Sequence, residues 1–332
     1  MSTISTWVSN ARSTSVPQSF MPSLLAICLA LPVSGFSWWL SALALLGVVC
    51  GHLGLNLFDD YFDYRKKKSD YRDELVHEGF RARIGKCIYI TSGQTTVEKL
   101  LVAAIAFCAV ALAAGSVIFY FRGIFVLYIV LAAVFLGLSY SAPPLRLSYH
   151  GMGELVIGLM FGPMNMIGSY YAACGTIDSS IIFISVPVGL LVMNIVYVHS
   201  IMDFIPDKKI GKSTFAVLLN SKPAMLIALT LILTAPFIII AAGILTHNLS
   251  SFYWLVFLAL PMAYSLLRLM MEFAKNPDKK FTPRFWMGPM GNWEHLEQAG
   301  IDWFMIRWLS ARNLLSFFCL IIIISAFLYV QA

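Results

Sequence analysis

The chain has 332 residues, 59% of them hydrophobic and 12% charged, with a net charge of +6 and a mean hydropathy of +0.79. A soluble protein of this length carries about 25% charge, so the composition excludes a pair of water-soluble domains in favour of one membrane-embedded domain over 1–332. The basic excess lies in loops pressed against a membrane, which argues against nucleic acid as a partner and for the bilayer surface.

Crossing a bilayer takes roughly 20 apolar residues. Runs of that kind are predicted at 20–36, 38–58, 96–118, 121–139, 152–173, 180–202, 223–245, 251–271 and 313–331, about nine helices. Helix is the expected state of each, because a backbone in lipid must satisfy its own hydrogen bonds. The stretch before the first run carries a single arginine, Arg12, and no charged segment ahead of a cleavage site, so no signal peptide is expected. The first run is short and contains Pro22 and Pro32.

The loops after the second, fourth, sixth and eighth runs fall at about 59–95, 140–151, 203–222 and 272–312. They or their flanks hold Arg65, Lys66, Lys67, Lys68, Arg72, Arg81, Arg83, Lys86, Arg146, Lys208, Lys209, Lys212, Lys222 and Lys275, whereas the opposite loops hold little beyond Arg122, Asp178 and His247. The positive-inside rule therefore places the N-terminus and these four loops in the cytoplasm. The last of them interleaves aromatics with cations around Phe281, Trp286, Trp303 and Arg307, a pattern suited to the membrane interface or, alternatively, to a lid. The six cysteines form no Cys-x-x-Cys pair and read as small packing residues.

Two acidic clusters stand at the inner ends of apolar runs: Asn56-Leu-Phe-Asp59-Asp60-Tyr-Phe-Asp63 and His199-Ser-Ile-Met-Asp203-Phe-Ile-Pro-Asp207. Carboxylates are costly near a bilayer and usually mark function. At about 100° per residue, Asn56, Asp60 and Asp63 fall within roughly 60° of one another, with Asp59 beside them, and His199, Asp203 and Asp207 within roughly 80°. The second helix is expected to end at Ile205, because the residue before a proline avoids the α region. Magnesium prefers oxygen ligands and is commonly held by one or two carboxylates together with substrate phosphates. Two such sets facing one cavity could hold metal with a diphosphate between them, and the surrounding lysines and arginines suit phosphate. The plainer alternatives are a solvated loop edge paired with lysines and an ion pathway, although a pathway places its ionisable groups near mid-membrane.

These residues carry a resemblance. Asn56-x-x-Asp59-Asp60-Tyr61-x-Asp63-Tyr64, the stretch Tyr140-Ser-Ala-Pro143-Pro144-Leu-Arg146 through Gly151-x-Gly153-Glu154, and Asp203-x-x-x-Asp207-x-x-x-Gly211-Lys212-x-Thr214 occur in the order seen in the UbiA family of intramembrane prenyltransferases. Within that family the chain is most similar to the 1,4-dihydroxy-2-naphthoate prenyltransferases of menaquinone synthesis. Asp59 and His199 depart from the family pattern, each standing where asparagine is expected.

The resemblance implies an all-α, polytopic UbiA-type fold around a central cavity, in a bacterial inner membrane. It implies Mg2+ held by Asn56, Asp59, Asp60, Asp63, Asp203 and Asp207, with Asp60, Asp63, Asp203 and Asp207 catalytic. A polyprenyl diphosphate is the expected donor, bound by Asn56, Arg83, Lys86, His199 and Lys212. The expected acceptor is aromatic, 1,4-dihydroxy-2-naphthoate first, with 4-hydroxybenzoate, homogentisate, a haem vinyl group or a glycerol phosphate lipid as alternatives. Tyr140 is a candidate to face the allylic cation, or else packs. Arg146 is a candidate for the acceptor carboxylate, or else reaches lipid headgroups. Glu154 is expected to brace the start of its helix, and Gly153, Gly158 and Gly162 to let helices approach closely.

Overall fold

Pro17 opens the first long helix, where its missing N–H would have no partner anyway. The computed structural model describes residues 4–67 and 87–331, so Arg83 and Lys86 lie outside the described residues. A short helix α1 (Ile4–Asn10) and a 3-10 turn (Ser13–Ser15) precede α2 (Pro17–Ala30) and α3 (Trp38–Lys67). One helical turn, α4 (Ile88–Thr91), leads to α5 (Val97–Arg122) and α6 (Ile124–Ser141). Then come α7 (Gly153–Leu159), a π turn (Met160–Met164), α8 (Asn165–Cys174) and α9 (Ser179–Met202). The chain continues through α10 (Phe204–Lys209), α11 (Phe215–Leu219), α12 (Lys222–Leu245), a 3-10 segment (Ser251–Ala259) running into α13 (Leu260–Lys275), α14 (Trp293–Gln298) and α15 (Asp302–Gln331).

The all-α expectation holds: beyond one isolated bridge between His150 and Ser213, the described residues are helices and turns. Seven helices among them are long and apolar enough to cross a membrane by length and composition, which leaves the exact count of nine unconfirmed. The reason is local. Helix α2 has 14 residues, short of a full crossing. The fifth predicted run is broken by the π turn around Pro163, which lacks the N–H an uninterrupted helix needs.

Helix α3 has 30 residues, about 45 Å at 1.5 Å per residue, against a hydrocarbon layer of about 30 Å. Its last turns, which carry Asp59, Asp60 and Asp63, can therefore project beyond the apolar layer. The main core gathers residues of α2, α8, α9, α12, α13 and α15, such as Leu25, Tyr170, Leu191, Leu233, Leu266 and Phe318. A smaller core around Ala11, Leu53, Leu57, Tyr89 and Leu100 backs the acidic end of α3. Only Val126 and Ser141 of α6 are buried, while Tyr128, Leu131 and Phe135 stand outward, as a lipid-facing helix requires.

Helix α7 and the π turn cross α9 at glycines. A Cβ on Gly162 would lie 2.2 Å from the Cα of Gly189, and one on Gly189 would lie 2.8 Å from the carbonyl oxygen of Gly158. Gly158 and Gly162 thus do what was expected of them, while Gly153 packs against Ser148 and Tyr140. At the end opposite the acidic clusters, Arg122 donates to the carbonyls of Gly35 (2.9 Å), Ala172 (2.9 Å) and Ala173 (2.6 Å) and so ties three segments together.

The last helix begins at Asp302, well before the predicted 313. Arg307 interrupts the apolar run, yet it is fully buried: Nε donates to Leu269 O (3.2 Å), Nη1 donates to Trp303 O, and the guanidinium lies 4.9 Å from the ring centre of Phe273. Of residues 272–312, Trp308 alone lines the polar cavity described below. Phe285 (91% exposed) and Trp286 (44% exposed) fit the interfacial role better than the lid.

Candidate active site

The end of α3 is held by a web of short contacts. Asn56 donates through Nδ2 to Ala11 O (2.9 Å) and Ser15 Oγ (3.2 Å), which occupies its amide hydrogens and leaves its carbonyl oxygen as the group available to a cation. Asp59 accepts from Ser141 Oγ and from Arg12 Nη2 (3.1 Å). Asp60 is buried; it accepts from Tyr89 OH (2.8 Å) and pairs with Arg12 at 3.2 Å. Asp63 accepts from Tyr149 OH at 2.9 Å. Burial and the neighbouring Asp60 both raise the Tyr89 pKa above that of an ordinary phenol, so Tyr89 stays a donor. Burial disfavours the charge on Arg12, but Asp60 and Asp59 outweigh it and raise its pKa above that of an ordinary guanidinium.

His52, one turn before Asn56, fixes the segment that carries Arg12. Ser15 Oγ donates to Arg12 O (2.7 Å), and the two ring nitrogens of His52 are hydrogen-bonded to serines, Nε2 with Ser15 Oγ (3.2 Å) and Nδ1 with Ser19 Oγ (2.7 Å). The chain of bonds continues into the bundle: Asn165 donates to Ser19 O (2.9 Å), and Ser23 donates to Asn165 Oδ1 (2.6 Å). Polar residues from α2, α3 and α8 are thereby satisfied inside an apolar setting.

The second cluster departs from the predicted helix end. Helix α9 stops at Met202 rather than at Ile205, and Pro206 falls in the first turn of α10, where a missing N–H is tolerated. Asp203 is fully buried and bonds His199 Nε2 at 2.8 Å. Asp207 is buried as well, and its carbonyl accepts from Lys212 N at 2.9 Å. Glu154 accepts from Ser200 Oγ (2.6 Å) and Phe215 N (3.1 Å). It braces, as expected, and it also joins α7 to α9 and to the start of α11.

Both clusters open into one polar cavity of about 200 Å³. Of the predicted residues, Asn56, Asp59, Tyr140, His199, Asp207 and Lys212 line it, and Glu154 joins them. Asp60, Asp63, Asp203 and Arg146 are not among its lining residues. Asp60 reaches the cavity wall through Arg12, and Asp203 through His199. Among the described residues, no three His, Cys, Asp or Glu side chains form a closed metal cage. The lining is nevertheless rich in the hard oxygen donors that magnesium prefers, in the open arrangement that leaves room for phosphate oxygens.

Next to this cavity runs an apolar groove of about 370 Å³ between α3, α5, α6 and α8, lined by residues such as Gly51, Leu112, Ile129 and Val134. The two spaces share His52, Leu55, Met160 and Phe161 as walls.

Arg12, Tyr89 and Tyr149 are the site residues that the sequence reading did not assign. Tyr149 lay inside a quoted motif, so its position could have been suspected. Arg12 lay in a stretch read only for its lack of a signal peptide, and nothing in its spacing points 44 residues ahead to the Asn56 carbonyl that it meets at 2.9 Å.

A model of the UbiA prenyltransferase family matches residues 19–288. A 1,4-dihydroxy-2-naphthoate octaprenyltransferase of Bacillus subtilis is 26% identical over 250 residues, covering 75% of this chain and 77% of that protein. The Escherichia coli protein of the same name is 24% identical over 273 residues, covering 80% and 85%. A 2-carboxy-1,4-naphthoquinone phytyltransferase of Synechocystis is 30% identical over 160 residues, where the match spans about half of each chain, 48% and 52%. The structure of a UbiA homolog from Archaeoglobus fulgidus bound to GPP and Mg2+ superimposes with a TM-score of 0.59 at 14% identity, covering 98% of this chain and 99% of that one, which supports the fold. With its family model spanning most of the chain and its membrane-crossing helices closing around a polar cavity, the protein is an integral membrane enzyme that belongs to the UbiA prenyltransferase family.

Proposed function

We propose that the protein transfers a polyprenyl group from a polyprenyl diphosphate to an aromatic acceptor in a magnesium-dependent reaction, with 1,4-dihydroxy-2-naphthoate as the acceptor. The observation that carries this reading is the continuity of the two spaces: a cavity walled by Asn56, Asp59, His199, Asp207 and Lys212 adjoins an apolar groove across His52, Leu55, Met160 and Phe161. The first suits a diphosphate and the second an isoprenoid tail.

Asn56, Asp59 and Asp207 would hold the magnesium, with Asp60, Asp63 and Asp203 supporting them. When bound, the metal neutralises charge that builds on the departing diphosphate. Lys212 supplies a cation to the same oxygens. It is held over the ring of Tyr149, 5.5 Å from its centre. Arg83 and Lys86 remain candidates for the same task. Tyr140 faces the allylic carbon as its C–O bond breaks, and the aromatic wall stabilises the cation. The electron-rich acceptor ring then forms the new C–C bond. With dihydroxynaphthoate, the ring carbon that bears the carboxylate is attacked, and the electrons of its bond to the carboxylate return to the ring as carbon dioxide leaves. The cavity opens towards the cytoplasm, as the positive-inside loops require. The names of the naphthoate-directed relatives favour this acceptor over the alternatives.

The test is the mass of the product formed by the purified protein with Mg2+, a polyprenyl diphosphate and an equimolar mixture of the candidate acceptors. A product equal to the acceptor plus the prenyl group, less carbon dioxide, is expected. A product built on another acceptor overturns the choice of naphthoate, and absence of any prenylated product overturns the reading itself.

A further inference from the structure

Arg12 is held where a metal-binding carboxylate would need to be open. Its Nη2 lies 3.1 Å from Asp59 Oδ2, 3.2 Å from Asp60 Oδ1 and 2.9 Å from Asn56 O. It also lines the polar cavity. A divalent cation bound by these carboxylates would sit about 2 Å from their oxygens. A guanidinium hydrogen-bonded to Asp59 and ion-paired with Asp60 occupies the space beside these oxygens and adds like charge beside the ion. Full metal occupancy and the Arg12 contacts are therefore mutually opposed.

The segment that bears Arg12 is tied to the acidic end of α3. Arg12 adopts a left-handed backbone (φ 61°, ψ 50°), unusual for a side chain of its kind, between α1 and the Ser13–Ser15 turn. Behind it, Ser15 and Ser19 are fastened to His52, so the chain has a fixed point immediately after the strained residue. Ahead of it, Trp7 packs edge-on against Tyr89, 6.4 Å between ring centres, and Tyr89 in turn bonds Asp60. These contacts, together with the Ala11 carbonyl that accepts from Asn56 Nδ2 at 2.9 Å, tie the arm to the end of α3 that carries the acidic cluster.

We infer that Arg12 is a tethered counter-ion of the first acidic cluster, displaced by a divalent cation, so that metal loading and release of the N-terminal arm are one event. This rests on the proposed metal-dependent function. It assigns Arg12 a positioning role that the family's acidic motifs do not include: it keeps Asp59 and Asp60 neutralised and preformed, and it vacates them when metal arrives.

The experiment uses the full chain in detergent with Mn2+ as the probe, its binding followed by electron paramagnetic resonance of the free ion. Arg12→Gln should bind Mn2+ about tenfold more tightly than the wild type, while Arg12→Lys, which keeps the charge, should stay within about twofold of it. In the wild-type protein, which needs no variant to fold, Mn2+ should accelerate tryptic cleavage of the Arg12–Ser13 bond, read from the mass of the released N-terminal peptide. Equal Mn2+ affinity in wild type and Arg12→Gln, or a cleavage rate indifferent to Mn2+, overturns the exchange and leaves the metal-dependent function standing. Absence of Mn2+ binding in all three proteins overturns both.

Discussion

The phenol of Tyr149 donates to the carboxylate of Asp63 at 2.9 Å, and this one bond couples the loop after α6 to the end of α3. The same residue carries the second acidic cluster with it: its carbonyl accepts from Ser213 N at 3.2 Å, and Lys212 lies over its ring. Tyr149 is thus the joint through which the two halves of the site keep their spacing.

Tyr149→Phe keeps the ring under Lys212 and removes the bond to Asp63. One hydrogen bond to a charged group contributes about 1.5–3 kcal/mol. The expected result is about a tenfold fall in kcat/KM at low Mg2+, partly recovered at high Mg2+, with a small drop in melting temperature. A magnesium titration of initial rates checks it, and an unchanged titration curve would remove the coupling role.

Asp59 and Asp207 come from opposite clusters and line the same cavity. Asp59→Ala and Asp207→Asn should each lower kcat by about 100-fold or more, as the loss of a group aimed at developing charge commonly does. Steady-state rates in detergent, alongside melting curves, separate this from unfolding. Near-normal turnover in both variants would sink the two-sided clamp.

On the proposed function, the apolar groove is the space that would receive the tail. Gly51 lines it, and a Cβ there would meet Ala111 Cβ at an ordinary 3.7 Å, so a larger side chain can be accommodated by extending into the open space. Gly51→Leu should lower kcat/KM for long prenyl diphosphates about tenfold and leave short ones nearly unaffected. Competition between donors of different length, read by product mass, is the measurement.

Asp178 caps α9, accepting from Ser180 N (2.7 Å) and Ile181 N (3.2 Å), and it also accepts from Tyr170 OH. Burial opposes its charge, but the bonds from Ser180, Tyr170 and Ile181 prevail and lower its pKa below that of an ordinary carboxylate. A lowered pKa in the folded state adds stability that is complete above the ordinary carboxylate value and is lost as pH falls through the folded value. Asp178→Ala should cost about 1 kcal/mol at neutral pH. The gap in melting temperature between wild type and variant should narrow as pH falls below the ordinary carboxylate range, and a constant gap would show that ionisation is not its source.

The opposed demands on Arg307 and Gly189 show where local reading stops. Hydropathy windows count Arg307 as a break, so the last span is expected to begin beyond it. In the structure, Leu269 O and Trp303 O accept from the guanidinium, the rings of Phe273 and Phe281 lie against it, and α15 runs through. Gly189 carries no motif, yet the crossing of α7 and α9 depends on it because a Cβ there would lie 2.8 Å from the Gly158 carbonyl oxygen. Partners so far away in the chain leave no local trace.

The amino-acid sequence by itself determined the class of the molecule: its apolar runs compel helices in lipid, and its carboxylates at helix ends declare a polar site that a membrane would otherwise reject. The spacing of Asn56, Asp59, Asp60 and Asp63 on one helix was equally legible, since it follows from the pitch alone. Only the tertiary structure decided which of those side chains face the cavity and which stand behind it. Asp60 turns to Tyr89, Asp63 to Tyr149 and Asp203 to His199, while Asp59 and Asp207 line the space. Those choices rest on hydrogen-bond partners brought in by packing, as does the arrival of Arg12 at the site, and no periodicity within a single helix encodes them.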